Sequence, residues 1–240
     1  MVRQCFSIPS TLLVFFGAAF SVLLADVSAK ESYQKERERL VREEIRARGI
    51  RDSEVLDAMR SVPRHLFVPG NLRERAYLDR PLPIGHGQTI SQPYIVAYMT
   101  EQLDLEAGDR VLEIGSGSGY QAAVLAEITD EVYSIEIVAA LEKTARQALE
   151  AAGYGFVELK HADGYFGWPE QAPFEAIIIT AATPTIPPPL IDQLADGGRM
   201  MLPLGSPYGG QRLVLVTRNG EEISTRSLLP VRFVPFTRKE

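Results

Sequence analysis

From residue 110 onward, short apolar runs alternate with amphipathic segments. The apolar runs have the length and β-branched content of buried strands, whereas the segments between them repeat apolar residues with the period of a helix. Strands that alternate with helices form parallel sheets with right-handed crossovers and helices on both faces. The pattern therefore predicts an open, doubly wound α/β sheet.

The elements of this sheet can be named from the pattern. The predicted strands are RVLEI, EVYSIEI, GFVELKHAD, FEAIIITAA and RMMLPLG, followed by QRLVLVTRNG and EEISTRSLLPVRFVPF as closing strands joined by an Asn-Gly turn. The predicted helices are YQAAVLAEI, VAALEKTARQALEAAG and PPPLIDQLADGG, the last with prolines at its entry and a Gly-Gly exit.

The part of the chain before the sheet predicts a helical extension. A charged amphipathic helix is expected over residues 33–48 and a short one over residues 52–59, with Asp52 or Ser53 as its N-cap. Prolines make SVPRHLFVPG irregular, and NLRERAYLDR is typical of a solvated helical turn. The polar stretch LPIGHGQTISQP then forms a loop that leads into a helix over residues 94–103.

Residues 1–29 follow a different pattern, with Arg3 near the start, an apolar run from Thr11 to Ala25 and small residues up to Ala29. This order is typical of a secretory signal peptide. The run is short for a bilayer span, which takes about 20 apolar residues, although an uncleaved anchor or a buried helix would show a similar run. We expect residues 1–29 to be cleaved and residues 30–240 to form a single domain.

A cleaved leader predicts an exported chain, with the bacterial periplasm as its compartment and no stable membrane association afterwards. An unused leader would leave the chain in the cytoplasm. Cys5, the only cysteine, lies in the leader, so the mature chain would carry no thiol, which suits an oxidising compartment. Cell fractionation that recovers the mature chain from the cytosol would contradict this expectation.

Composition narrows the range of partners. Hydrophobic residues make up 45% of the chain and charged residues 23%, as in ordinary globular proteins. The net charge of -6 argues against non-specific nucleic-acid binding, which needs a basic face. His65, His86 and His161 lack the spacing of metal ligands, so no metal site is predicted. Nothing in the sequence determines the oligomeric state.

The stretch VLEIGSGSGYQAAVLA places three glycines, Gly115, Gly117 and Gly119, between a strand and a helix. Such a loop lets a ligand approach the backbone at the carboxyl end of a strand, although a tight turn without a ligand has the same pattern. The spacing is not that of a dinucleotide or phosphate loop. Glu113 before the loop suits a cationic ligand that carries an amine and no phosphate, such as S-adenosylmethionine.

Two further acids follow the next two strands. Glu136 ends the second strand, where a carboxylate can accept both hydrogen bonds of a ribose diol. Asp163, followed by Gly164, comes after the third strand, where a carboxylate can accept a hydrogen bond from an adenine amino group. Each acid alone could be a solvated loop residue. Together with Glu113 they predict a row of cofactor contacts along one edge of the sheet.

These motifs resemble a known family. VLEIGSGSGYQAAVLA is similar to motif I of class I methyltransferases, whose sheet is Rossmann-like. PLPIGHGQTISQPYIVAYMTE, GWPEQAPFEAIIITAA, IPPPLIDQLADGGRMMLPLG and LLPVRFVPF closely resemble protein-L-isoaspartate O-methyltransferases, over residues 41–236. The leader is not part of the family pattern. HADG departs from it, because Ala162 stands where the family commonly has glycine, which could shift the loop beside Asp163.

The resemblance implies methyl transfer from S-adenosylmethionine to the free α-carboxylate of isoaspartyl residues in damaged peptides and proteins, and leaves activity on D-aspartyl residues open. It implies that Ser91 supplies the active-site hydroxyl, and that Thr89 lines the peptide site. A carboxylate is ionised at neutral pH and needs alignment more than a base, which hydroxyls can provide. Arg232 could guide the anionic substrate or be an ordinary surface residue.

Three alternatives stay open at this stage. Thr89 and Ser91 could instead cap the helix that begins near Tyr94. The chain could methylate a small molecule or another protein acceptor, since many methyltransferases share the glycine loop. It could also bind S-adenosylmethionine or exported proteins without catalysis.

Overall fold

The computed structural model describes residues 31–206 and 209–238. The predicted leader, residues 1–29, lies outside this part, so cleavage, export and the division into leader and domain stay predictions. No helix within the described ranges is long and apolar enough to cross a membrane.

A seven-stranded sheet forms the centre of the fold, with the strand order β5-β4-β3-β6-β7-β8-β9, and a separate two-stranded hairpin pairs β1 with β2. The strands are β1 (Leu82–Gly85), β2 (Gln88–Ile90), β3 (Arg110–Ile114), β4 (Glu131–Glu136), β5 (Glu158–His161), β6 (Phe174–Ile179), β7 (Leu194–Gly205), β8 (Gln211–Asn219) and β9 (Glu222–Val231). The five strands from β5 to β7 are parallel, and β8 and β9 close the sheet antiparallel. The predicted doubly wound sheet with closing strands is confirmed.

The connections run in opposite directions from the middle of this sheet. From β3 the chain proceeds to β4 and β5 on one side, and from β6 it proceeds to β7 on the other side. Ligands of open α/β sheets bind where the strand order reverses, beyond the carboxyl ends of the strands. The ends of β3 and β6 therefore mark the expected position of a ligand.

The helices are α1 (residues 31–40), α2 (Ser53–Ser61), α3 (Pro93–Leu103), α4 (Tyr120–Ala126), α5 (Ala139–Ala152) and α6 (Pro188–Asp192). The two faces of the sheet pack into separate cores. Val111 of β3 belongs to a core shared with α1 to α5, whereas its neighbour Leu112 faces the opposite core, where α6 packs. This alternation is the period of a strand that is buried on both faces.

The N-terminal extension differs in detail from its prediction. After α1 the helical chain continues through a π-helical turn (Val41–Ile45) and a 3-10 turn (Arg46–Arg48), and it ends at Gly49 with φ of 110°. The wider turn keeps both Val41 and Ile45 buried in the core. Asp52 caps α2 as predicted, because its side chain accepts from the backbone N–H groups of the first turn.

Two predictions of local structure were wrong. The polar stretch before α3 is a β hairpin rather than a loop, with left-handed residues Gly85, His86 and Gly87 at its turn. The helix predicted for PPPLIDQLADGG ends at Asp192, and its two glycines lie within β7. There the register with β6 shifts, because Leu194 pairs with Phe174 while the next pair is Arg199 with Ala176. The glycines form an irregularity inside the strand instead of ending a helix.

Candidate active site

The glycine loop turns sharply beyond β3. Gly115, Gly117 and Gly119 have φ of 99°, 53° and 86°, in the left-handed region that glycine adopts without strain. The Gly115 N–H donates to Ile135 O of the neighbouring strand β4 at 2.8 Å. The hydroxyl of Thr180, just beyond β6, donates to Gly115 O at 2.7 Å. The loop is thus fastened to both strands that flank β3.

There is no room for a side chain at Gly115. A Cβ at this position would lie 2.6 Å from Thr180 Oγ1. A Cβ at Gly164, which follows β5, would clash with Ile114 Cγ2. Both glycines therefore let two segments of the chain pack closely together at the ends of the strands.

Glu136 holds the glycine loop from the end of β4. Its carboxylate accepts hydrogen bonds from Gly117 N at 2.8 Å and from Val138 N at 2.9 Å. A carboxylate has about four acceptor sites, so two backbone bonds leave capacity for ligand hydroxyls. Glu136 lines a cleft at the carboxyl ends of the strands, as its predicted contact with a ribose requires.

Glu113 is fully buried. Its Oε2 accepts a hydrogen bond from the Ser134 hydroxyl, whereas its Oε1 is buried without a partner within the described residues. Burial raises the pKa of the Glu113 carboxyl to about 8; the nearby Glu136 charge also raises it, and the Ser134 hydrogen bond acts in the opposite direction. An unpaired buried carboxyl oxygen is costly unless a donor or a cation completes its surroundings.

Asp163 has a different environment from the other two acids. Its Oδ1 accepts from Tyr165 N at 3.0 Å, and its Oδ2 accepts from Arg238 Nε at 2.8 Å. The Arg238 guanidinium also lies over the Tyr165 ring, 3.7 Å from its centroid. Gly164, rather than Asp163, lines the cleft. The three acids therefore follow neighbouring strands as predicted, but Asp163 faces the C-terminal segment.

Three adjoining cavities lie at this end of the sheet. The strand-end cleft has about 570 Å³ of empty space and is lined by the ends of β3, β4 and β6 and by residues 234–237. The hairpin cleft has about 1020 Å³ and lies between Ser91, Gln92 and residues 230–234. The connecting cavity has about 320 Å³ and contains Ser91 and Glu113 on its walls.

Thr89 and Thr180 line all three cavities. Ser91 lines the hairpin cleft and the connecting cavity, so the predicted hydroxyls and the predicted cofactor residues meet in one continuous region. A ligand in the strand-end cleft and a second ligand in the hairpin cleft would approach each other beside these hydroxyls.

The alternative that Thr89 or Ser91 caps α3 does not hold. The N-cap residue of α3 is Gln92, and its side chain makes no capping hydrogen bond. The first turn is instead bound by Asp79, whose Oδ1 accepts from Tyr94 N at 2.9 Å while its Oδ2 accepts from the Gln92 amide at 2.7 Å. The hydroxyls of Thr89 and Ser91 have no bond to the helix in the described part of the chain.

Several residues of this region escaped the prediction from sequence. The sequence analysis looked for polar residues at the carboxyl ends of β3, β4 and β5. The same search at the end of β6 would have found Thr180. The C-terminal segment was harder to find from sequence, because residues 234–237 reach the cleft through long-range backbone pairing with Ala182. The Ala182 N–H donates to Val234 O at 2.8 Å, and Ala182 O accepts from Phe236 N at 2.9 Å.

Arg232 was named from sequence as a possible guide for the anionic substrate. It is exposed and lines the hairpin cleft.

No group of three or more metal-ligating side chains within residues 31–206 and 209–238 could hold a metal ion. The expectation of a metal-free site stays a prediction.

Comparison with known proteins decides which family has this arrangement. The model of the protein-L-isoaspartate(D-aspartate) O-methyltransferase family matches residues 35–240. The chain belongs to this family. A protein-L-isoaspartate O-methyltransferase of Opitutus terrae is 54% identical over 224 residues, which are 92% of this chain and 96% of the relative. One from Shewanella sediminis is 52% identical over 227 residues, covering 95% of this chain and 92% of the relative.

Solved structures agree with the family assignment. A Plasmodium falciparum protein assigned to the same enzyme, in complex with S-adenosyl-L-homocysteine, is 26% identical, has a TM-score of 0.75 and covers 85% of this chain and 99% of its own. Another protein-L-isoaspartate O-methyltransferase has 28% identity and a TM-score of 0.74, with coverage of 83% and 65%. The predictions of a class I methyltransferase fold, of methyltransferase activity and of S-adenosylmethionine as cofactor are confirmed.

Proposed function

We propose that this protein-L-isoaspartate O-methyltransferase binds its cofactor in the strand-end cleft and the isoaspartyl chain in the hairpin cleft. The observation that carries the proposal is the connecting cavity, because Ser91 and Glu113 lie on walls of one space. The free α-carboxylate of an isoaspartyl residue then meets the methyl donor beside Ser91 and Thr89. Damaged peptides and proteins are the partners that this site would accept.

The residues present fit S-adenosylmethionine. The orphaned Oε1 of Glu113 suits a cationic amine, and Gly115 and Gly164 line the strand-end cleft without a side chain. Glu136 has acceptor capacity left for a ribose diol. Gly117 and Gly119 complete the loop, and Asp163 supports the adenine end next to Gly164. When bound, the cofactor supplies a methyl group on a sulfonium, with no phosphate for this loop to hold.

Ser91 and Thr89 act on the substrate by orientation. A carboxylate with an ordinary pKa is already anionic at neutral pH, so no residue needs to remove a proton. The hydroxyls donate hydrogen bonds that hold one carboxylate oxygen in line with the methyl carbon, and the other lone pairs stay nucleophilic. The resulting ester then closes to a succinimide when the following backbone nitrogen attacks the ester carbonyl and methanol leaves, without help from the chain.

Activity on matched peptides tests this function. We expect the chain to transfer label from S-adenosylmethionine to an isoaspartyl peptide and to leave the aspartyl peptide of the same sequence unlabelled. The product should be base-labile, as a methyl ester is. Label on both peptides would contradict recognition of the isoaspartyl backbone, and label on neither, with the cofactor still bound, would point to a different acceptor.

Cofactor binding is expected to release close to one proton at pH 7. Glu113, whose pKa is raised to about 8 by burial, is mainly protonated at this pH, and an ammonium group beside it favours the ionised form. Cofactor affinity should therefore rise as the pH increases toward 8. Because the folded pKa lies above the ordinary carboxyl value of 4.5, the stability that this proton contributes to the free chain is lost progressively as the pH rises from 4.5 to about 8.

Titration calorimetry in buffers with different ionisation enthalpies measures this proton. Glu113→Gln should bind the cofactor without proton release, whereas Glu127→Gln, which alters a carboxylate bound to the Tyr154 hydroxyl, should behave as the wild type does. Equal proton release by Glu113→Gln and the wild type would contradict the role of Glu113.

A further inference from the structure

Arg64 is a buried arginine that the mechanism above does not use. It lies in a 3-10 turn (Arg64–Leu66), and its exposed fraction is 0%. Burial lowers the pKa of its guanidinium, although an arginine keeps its charge in proteins. None of the ion pairs within the described residues includes Arg64. The nearby Asp79 carboxylate favours the charged guanidinium of Arg64, but Asp79 forms its ion pair with Arg48. Burial of a cation without a direct ion pair costs stability, and an apolar side chain of similar size would avoid that cost.

The guanidinium contacts two residues that line the connecting cavity, although Arg64 itself does not line it. Its Nη2 donates to the carbonyl oxygen of Ser91 at 2.7 Å, and its Nε donates to Ala76 O at 2.9 Å. Its central carbon lies 4.7 Å from the centroid of the Tyr120 ring. Nη1 is buried and has no hydrogen-bond partner within the described residues.

These contacts join two separate elements. Ser91 follows β2, and Tyr120 begins α4 directly after the glycine loop. Both residues line the connecting cavity, whereas Arg64 lies outside it. The rigid fork of an arginine can hold a carbonyl and a ring face at once, which the point charge of a lysine cannot do equally well. Arg64 therefore connects Ser91, which follows β2, to Tyr120, which follows the glycine loop.

We propose that Arg64 is a positioning residue of the methyl-transfer reaction, which fixes the Ser91 backbone so that the Ser91 hydroxyl meets the substrate carboxylate. The inference rests on the proposed role of Ser91. Misplacement of a reacting group by about 1 Å can lower a rate by about 100-fold, so a loop that loses one of its fastenings should lose turnover. The cofactor residues Glu113 and Glu136 are held by other contacts and should be unaffected.

A double-mutant cycle tests the proposal. We expect Arg64→Met to lower kcat on an isoaspartyl peptide by about 10-fold, with cofactor affinity unchanged, and Arg64→Lys to have an intermediate kcat because it keeps a donor and the charge. In a Ser91→Ala background, Arg64→Met should cause little further loss, because the hydroxyl that it positions is already absent. A purely structural residue would instead lower both backgrounds by the same factor.

Arg218→Met is the matched control. Arg218 also donates to a backbone carbonyl, Leu194 O at 2.8 Å, but it lines none of the three cavities, and its loss should leave kcat unchanged. If Arg64→Met does not fold, the same cycle with Arg64→Lys decides. Equal effects in both Ser91 backgrounds, or an unchanged kcat, would overturn the proposal, and so would a fully active Ser91→Ala. Wild-type methylation of the isoaspartyl peptide tests the enzyme's function separately.

Discussion

Replacement of Gly115 by alanine is expected to weaken cofactor binding by about 100-fold. The left-handed backbone costs a non-glycine residue about 1–2 kcal/mol. The new Cβ would lie 2.6 Å from Thr180 Oγ1, so the hydroxyl would have to move and lose its 2.7 Å hydrogen bond to Gly115 O. A lost hydrogen bond adds about 1 kcal/mol. The free loop is expected to relax and so avoid this total of about 2–3 kcal/mol, and cofactor binding must then restore the strained loop, which corresponds to roughly 30- to 150-fold in affinity. Calorimetry with S-adenosylhomocysteine measures the dissociation constant.

Gly153→Ala separates backbone strain from the close approach. Gly153 ends α5 with φ of 93°, and a Cβ there would have nothing within 4 Å. This variant should lose some stability, visible as a lower Tm, but bind the cofactor as the wild type does. If Gly115→Ala binds equally well, the glycine loop is not the cofactor's cradle.

Ser91→Ala is expected to lower kcat by about 10- to 100-fold at unchanged cofactor affinity. The Ser91 carbonyl is held by Arg64, and its hydroxyl has no hydrogen-bond partner among residues 31–206 and 209–238, so it is free to bind a substrate. A hydrogen bond to a charged group contributes about 1.5–3 kcal/mol, which converts to this range of rates. Steady-state kinetics on an isoaspartyl peptide, with calorimetry for the cofactor, provides the measurement.

Ser224→Ala is the control for this substitution, because Ser224 lies on the exposed edge strand β9. Its kcat should equal that of the wild type. Full turnover by Ser91→Ala would reduce Ser91 to a lining residue and would leave the family assignment intact.

The parallel part of the fold was predictable because its strands are buried on both faces. The apolar run RVLEI coincides with β3, and EVYSIEI differs from β4 by one residue. The hairpin before α3 was missed because its two strands have only four and three residues, too few for an alternating pattern to emerge. The short α6 was overextended because Leu194 is held by pairing with Phe174, a contact that local periodicity does not contain.

The site was predictable where chemistry follows strand ends. Glu136 could be assigned to the loop because it ends β4, and Glu113 because it lies one residue before the end of β3. The Asp163 contact with Arg238 spans 75 residues, and the Arg64 contact with Ser91 spans 27, so neither leaves a local pattern. Arg64 in particular has the sequence signature of an ordinary polar turn residue, and only its burial distinguishes it.

Because the two clefts share part of their walls, we expect the two proposed ligands to influence each other's binding. Thr89, Thr180 and Val234 line both the strand-end cleft and the hairpin cleft. A ligand that stiffens these side chains prepares the surface that the other ligand needs. The coupling is reciprocal, so the factor by which cofactor raises peptide affinity equals the factor by which peptide raises cofactor affinity. A damaged chain would thus retain the methyl donor in the enzyme as effectively as the donor retains the chain.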